Sequence, residues 1–145
     1  MIGWLLDTNV LSAFAPGKPF LSRERAEWFR ERASALFISS ITVMEIDTGV
    51  ARLRRLGAHR RADILHGWLD GIFDQYADRV LSFDLPAARI AGVLNDAAQA
   101  RGRHPGLADI TIAAIARSRE LIVLTVNVRH FEVLGATVHN PFEAA

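Results

Sequence analysis

The chain has 145 residues; half are hydrophobic, 23% are charged, and 17 basic against 16 acidic residues leave a net charge of +1. That is ordinary globular composition, read here as a single domain over 1–145, and it excludes a disordered or fibrous chain. The absence of cysteine excludes disulfides, thiolate catalysis and cysteine-bound zinc or iron–sulfur centres.

Residues 2–6 form a short apolar run that ends in Asp7. The pattern predicts a buried strand delivering a carboxylate at its C-terminal edge. Thr8 and Asn9 then switch the chain into a turn or helix start. Residues 15–19, Ala-Pro-Gly-Lys-Pro, are a loop. Residues 22–32 read as a helix capped by Ser22 and anchored by Trp28 and Phe29. A second short strand follows at 35–39, with Ser39, Ser40 and Thr42 as candidate caps for a helix over 43–56, before Gly57. Val43, Ile46, Val50 and Leu53 recur along it at helical spacing. A further helix is expected over 59–76, so the two form a hairpin or clip. Residues 79–83 predict a third strand ending at Asp84, and Pro86 suits the first turn of a helix running to about 100. Residues 102–106 are a loop, 107–118 a very apolar helix buried on most sides, and 121–124 a fourth strand. Residues 128–134 are a short helix or turn, 137–138 a last strand, and Asn140-Pro141-Phe142 tucks back on the body. Alternating helices and strands argue for a three-layer α/β domain with a mainly parallel sheet.

Three acids stand out by position. Asp7 follows strand 1, Glu45 lies near the start of the helix after strand 2, and Asp109 sits near the start of the apolar helix. In a parallel fold all three fall at one level, and helix N-termini favour anions. Close carboxylates repel until a cation meets them, and hard cations such as Mg²⁺ or Mn²⁺ take oxygen ligands. The other reading of the same acids is separate helix caps and surface ion pairs. Asp47 rivals Glu45, because residues two apart on a helix cannot share a face. Asp84 reads as a helix cap.

The basic side is almost all arginine, with Lys18 the only lysine, and residues 52–61 hold five arginines. Arg52, Arg55, Arg60 and Arg61 read either as a rim that contacts phosphate or a protein partner, or as a solvated turn paired with Asp63 or Asp47. Five histidines show no zinc spacing, and no G-x-S-x-G elbow, phosphate loop or dinucleotide fingerprint exists. No run approaches transmembrane length and no basic-flanked leader opens the chain, so neither a membrane nor an export role is expected. Cytoplasmic residence fits the missing cysteines.

Leu5-Leu6-Asp7-Thr8-Asn9-Val10-Leu11-Ser12, then residues 38–46 with Gly49, then Gly102-Arg103 with Ala108-Asp109 and residues 112–116, then residues 124–131 with Gly135 and Asn140-Pro141 form four blocks in order. In these the chain resembles the PIN-domain family, and within it the ribonuclease toxins of type II toxin–antitoxin pairs, the VapC/FitB group. The resemblance implies a PIN-like three-layer α/β/α sandwich with a helical clip. It implies a metal-dependent endoribonuclease leaving 5′-phosphate and 3′-hydroxyl ends, with Asp7, Glu45 and Asp109 as catalytic acids around Mg²⁺ or Mn²⁺. It also implies a cognate antitoxin, an RNA substrate, a toxin homodimer and larger toxin–antitoxin hetero-oligomers. The family commonly has a fourth acid in the closing block; here Asn127 and His130 stand at those positions, so Asn127 or a water fills the fourth place. Thr8, Asn9, Thr125 and His130 are the expected supporting residues. Two rivals remain: a different PIN nuclease, or a non-catalytic module that only binds protein or RNA.

Overall fold

The computed structural model describes residues 2–143. Met1, Ala144 and Ala145, the ends of the expected 1–145 domain, lie outside the described residues. Five short strands, β1 (Trp4–Leu6), β2 (Leu36–Ser39), β3 (Val80–Leu81), β4 (Ile122–Leu124) and β5 (Val138–His139), form one sheet in the order β3-β2-β1-β4-β5. Every neighbouring pair is parallel. The helices are α1 (Thr8–Ser12), α2 (Arg23–Glu31), α3 (Ser40–Arg55), α4 (His59–Tyr76), α5 (Leu85–Ala100), α6 (Leu107–Ser118) and α7 (Val128–Glu132).

Both faces of the sheet are covered, which is why its strands read as unbroken apolar runs. Successive strand residues point to opposite faces. Leu5 and Val123 face one buried cluster with Leu94, Ile112, Ile115 and Phe131, supplied by α5, α6 and α7. Leu6 and Leu124 face the other, with Val10, Phe29, Leu69 and Tyr76, supplied by α1, α2 and α4. The α/β/α sandwich with a parallel sheet is thus as expected. Helix α6 is buried without interruption from Ile110 to Ala116, and each fully buried isoleucine contributes roughly 1.5–3 kcal/mol. The clip is present as α3 packed against α4, tied by Arg54 to Asp63 at 2.7 Å. The C-terminal segment does fold back: Arg25 donates to the Pro141 carbonyl at 2.6 Å, and Phe142 lies 6.1 Å from Phe29.

Several element ends differ from the sequence expectation, three of them for a partner-related reason. Strand β1 starts at Trp4, where β2 begins to pair, and Ile2 is left 61% exposed. Helix α3 starts at Ser40 because Ser39 is the cap, accepting from the Thr42 N–H at 3.1 Å. Strand β3 is only Val80–Leu81: Leu81 pairs with Ser39, the last residue of β2, so Ser82 and Phe83 have no strand to follow. Arg79 instead donates to the carbonyls of Ala33 and Leu36 at 2.7 and 2.6 Å.

The chain runs outward from β1 through β2 to β3, then returns to the other side of β1 to lay down β4. The strand order therefore reverses between β1 and β4, and open parallel sheets bind ligands at the carboxyl ends of the strands at that point.

Candidate active site

Asp7 occupies that position. Leu6 pairs with Leu124, and the Asp7 N–H donates to the Leu124 carbonyl at 2.9 Å, so the residues following β1 and β4 lie side by side. Asp7 is only 4% exposed. Its Oδ1 accepts from the Thr8 N–H at 2.8 Å, which makes it the cap of α1. Its Oδ2 accepts from the Thr125 hydroxyl at 2.8 Å and from Asn9 Nδ2 at 3.1 Å. Asn9 also accepts from the Val126 N–H at 3.3 Å, tying the two strand ends together.

Burial pushes the Asp7 pKa up, and the charges of Asp109 and Glu45 push it the same way. The Thr125 and Thr8 hydrogen bonds oppose the shift without cancelling it. An acid held this way is short of positive charge.

Glu45 reaches the same corner from the second turn of α3. Thr8 Oγ1 donates to Glu45 Oε1 at 2.5 Å and lies 3.1 Å from Thr42 Oγ1. Thr42 is fully buried and also meets Ser39 Oγ at 3.3 Å. Asp47, the rival of Glu45, is exposed, whereas Glu45 is half-buried. Asp109 stands in the first turn of α6, its Oδ2 3.6 Å from His130 Nδ1 on α7. Glu45 and Asp109 thus both act on Asp7, each of them beside its own neighbour, Thr8 or His130. Among the described residues, no group of three His, Asp or Glu side chains is drawn together as a ready metal-ligand set.

The expected supporting residues divide. Thr8, Asn9 and Thr125 hold Asp7 or Glu45 directly, and His130 meets Asp109. Asn127 is exposed; its N–H donates to Thr125 Oγ1 at 3.0 Å, and among the described residues its side-chain amide makes no hydrogen bond. The arginines are not gathered at the acids. Arg52 and Arg55 are exposed in the last turn of α3, at least about 10 Å along the axis from Glu45 at 1.5 Å per residue. Arg60 is exposed, and Arg61 packs its guanidinium against Gly17, whose φ of +90° admits no ordinary side chain. Asp84 is the cap it was read to be, accepting from the Ala87 N–H at 3.1 Å.

Two features were missed in the sequence. Thr42 looked like one cap among three; only the approach of α1 to α3 makes it a buried link to Thr8. Arg103 and His104 were read as loop and Arg101 was given no role, yet all three line a cleft with Asp109 and His130. The run Arg-Gly-Arg-His two turns ahead of an acid was the available signal.

Residues 4–135 match the PIN-domain family. The chain belongs to the PIN-domain family. This PIN domain is 35% identical over 143 residues to the VapC ribonuclease Y4jK of Sinorhizobium fredii, covering 97% of this chain and 99% of the relative. It is 33% identical over 140 residues to toxin FitB of Neisseria gonorrhoeae, covering 95% and 97%. It also superposes on a chain of DNA-bound VapBC from Salmonella typhimurium with a TM-score of 0.81 at 29% identity, over 97% of this chain and 99% of the other. The domain is therefore closely related to the VapC/FitB group. No helix among the described residues is long and apolar enough to cross a membrane.

Proposed function

We propose that this PIN domain is a metal-dependent endoribonuclease toxin that hydrolyses RNA phosphodiester bonds and is neutralised by a cognate antitoxin. The observation that carries the reading is Asp7: a buried carboxyl at the switch point of the sheet, its pKa raised by burial and further by Asp109 and Glu45. The donor chemistry fits Mg²⁺ or Mn²⁺, because all three side chains offer hard oxygens. Asp7, Glu45 and Asp109 would hold the ion, with the neutral Asn127 amide or a water in the fourth place. When bound, such an ion supplies charge neutralisation at phosphate and acidifies water. The chain's own part is orientation. Thr125, Asn9 and the Thr8 N–H fix both oxygens of Asp7, and the Thr8 hydroxyl fixes Glu45. His130 sits where it can hold Asp109 or donate to a phosphate oxygen. Arg52, Arg55, Arg60 and Arg61 at the tip of the clip contact RNA or the antitoxin.

The relatives' names support this reading: one is a ribonuclease, one a toxin, and a VapBC neighbour was crystallised with DNA. A cytoplasmic toxin homodimer that joins its antitoxin in a hetero-oligomer follows by analogy. A second reading, an inert PIN-like binding module, is favoured by Asn127 and His130 standing where the family has an acid.

The test is cleavage of single-stranded RNA by the purified protein with Mg²⁺, with Mn²⁺ and in EDTA, alongside Asp109→Ala. Cleavage is expected only with a divalent ion. Asp109→Ala should lose at least about 100-fold, more than the loss of an outer partner typically costs. Equal cutting in EDTA, or by the variant, removes the proposed mechanism; no cutting by the native protein under any condition supports the inert module.

A further inference from the structure

A cleft of about 350 Å³ opens beside Asp109, between the loop joining α5 to α6 and the short helix α7. Its walls carry Arg101, Arg103, His104 and His130, with Asp109 as the acid and Pro105 among its apolar surfaces. Arg101 and Arg103 thus stand immediately beside Asp109, one of the acids whose charge acts on Asp7. The loop is built to present them. Gly102, with φ of +68°, reverses the chain, and the N–H groups of Gly102 and Arg103 close on the carbonyls of Gln99 and Ala98, both at 2.9 Å. Arg103 is therefore pinned by its backbone while its side chain is exposed. Among the described residues, neither Arg101 nor Arg103 has a carboxylate within salt-bridge distance, whereas Arg23, Arg32, Arg54 and Arg119 each have one. Arg101 ends α5, where a cation suits the helix dipole anyway. Arg103 and His104 have no such reason to be there. The amino end of α6 also faces this region, and Gly106 offers it no side-chain cap.

We propose that this cleft is a subsite for one nucleotide of single-stranded RNA, next to the phosphate that is cut, with Arg103 and Arg101 holding its phosphate. The proposal rests on the ribonuclease reading and adds where the chain of the substrate runs. A polyanion approaching Asp7, Glu45 and Asp109 is repelled, and a cationic wall beside them offsets that repulsion. Arginine forks match phosphate oxygens, His104 and His130 add N–H donors, and Pro105 gives a ring or ribose an apolar face. The volume lies near the low end of the ~300–1,000 Å³ range of ligand pockets, which suits one nucleotide rather than a duplex. Because Asp109 belongs to both the cleft and the acidic corner, a nucleotide seated here leaves its neighbouring phosphate at the carboxylates.

The experiment is fluorescence anisotropy of a short, labelled, mixed-sequence single-stranded RNA on the full chain in EDTA, across a salt series. Arg103→Ala and Arg101→Ala are compared with Arg23→Ala, an exposed arginine on α2 that controls for loss of charge alone, and with Arg103→Lys. Arg103→Ala should weaken binding about tenfold, and the slope of log affinity against log salt should become shallower by about 0.7 for each phosphate no longer neutralised. Arg103→Lys should recover part of the slope, and Arg23→Ala should leave both near native. The same affinity and slope for Arg103→Ala and Arg23→Ala, with unchanged melting temperatures, overturns the subsite. Tighter, Arg103-dependent binding of an oligoglutamate peptide also overturns it, and makes the cleft a dock for an acidic protein segment. Cleavage with Mn²⁺ keeps the two proposals apart. RNA cut normally by Arg103→Ala with native affinity removes the subsite and leaves the nuclease; Arg103-dependent binding without any cleavage removes the nuclease and leaves the subsite.

Discussion

Replacing Thr125 by valine weighs the order of the acidic corner directly. The Thr125 side chain is fully buried, and its hydroxyl donates to Asp7 Oδ2 at 2.8 Å while accepting from the Asn127 N–H at 3.0 Å. Valine keeps the shape and removes the oxygen. A hydrogen bond to a charged group contributes about 1.5–3 kcal/mol. The Asn127 N–H lies at an exposed turn, where water can replace its partner at little cost. A loss of about 2 kcal/mol follows, which lowers the melting temperature of a chain this size by roughly 4–8 °C. The pH dependence has a definite sign. Asp7 is already raised above the ordinary carboxylate value of 3.8, so the folded protein holds a proton that the unfolded chain has released. Stability therefore falls as pH rises between 3.8 and the raised folded value. Removing the Thr125 hydroxyl takes away a bond that lowers the Asp7 pKa and extends that window upward. The deficit of Thr125→Val should be smallest in acid and reach its full size once Asp7 is ionised in both proteins. Thermal unfolding followed by circular dichroism in EDTA, from acid to neutral pH, measures it. A variant that tracks the native protein at every pH would refute the electrostatic account of Asp7.

Asp7→Asn removes the charge that burial and the other two acids disfavour, and asparagine still caps a helix; in EDTA at neutral pH its melting temperature should rise above native, the difference closing as pH falls towards 3.8. The same variant should lose the stabilisation that Mn²⁺ gives the native protein, about 2.7 kcal/mol at a hundredfold excess over its dissociation constant. A melting temperature that drops in EDTA, or one that still climbs with Mn²⁺, counts against Asp7 as the acid that meets the ion. Asp84→Ala removes the cap of α5 and should cost about 1 kcal/mol, with RNA cleavage unchanged; a large loss of activity at unchanged stability would move Asp84 into the site.

Local signals along the chain were enough to set the class of fold and the ends of most elements. Apolar runs of strand length bounded by Asp7 and Thr125, the serine before α2, the proline in the first turn of α5 and the uninterrupted apolar stretch in α6 are such signals, and local sterics and burial act on them wherever the chain goes. The sequence could also name Asp7, Glu45 and Asp109 as acids at helix starts and strand ends. It could not say that Asp109 and Glu45 come close enough to act on Asp7, because that depends on the strand order: β4 lands beside β1 only after the chain has gone out to β3 and come back. That return sets Thr125 against Asp7 and brings α6 and α7 to the same corner. Packing in three dimensions set Glu45 against Thr8 and left Asp47 in solvent, turned Thr42 from a cap into a buried link, and carried Arg52 and Arg55 along the helix away from Glu45. It also brought the loop after α5 against α7, so that Arg101 and Arg103 share a cleft with Asp109. Charge acts through space, and a sequence fixes the separation between two charges only when they lie on the same rigid element.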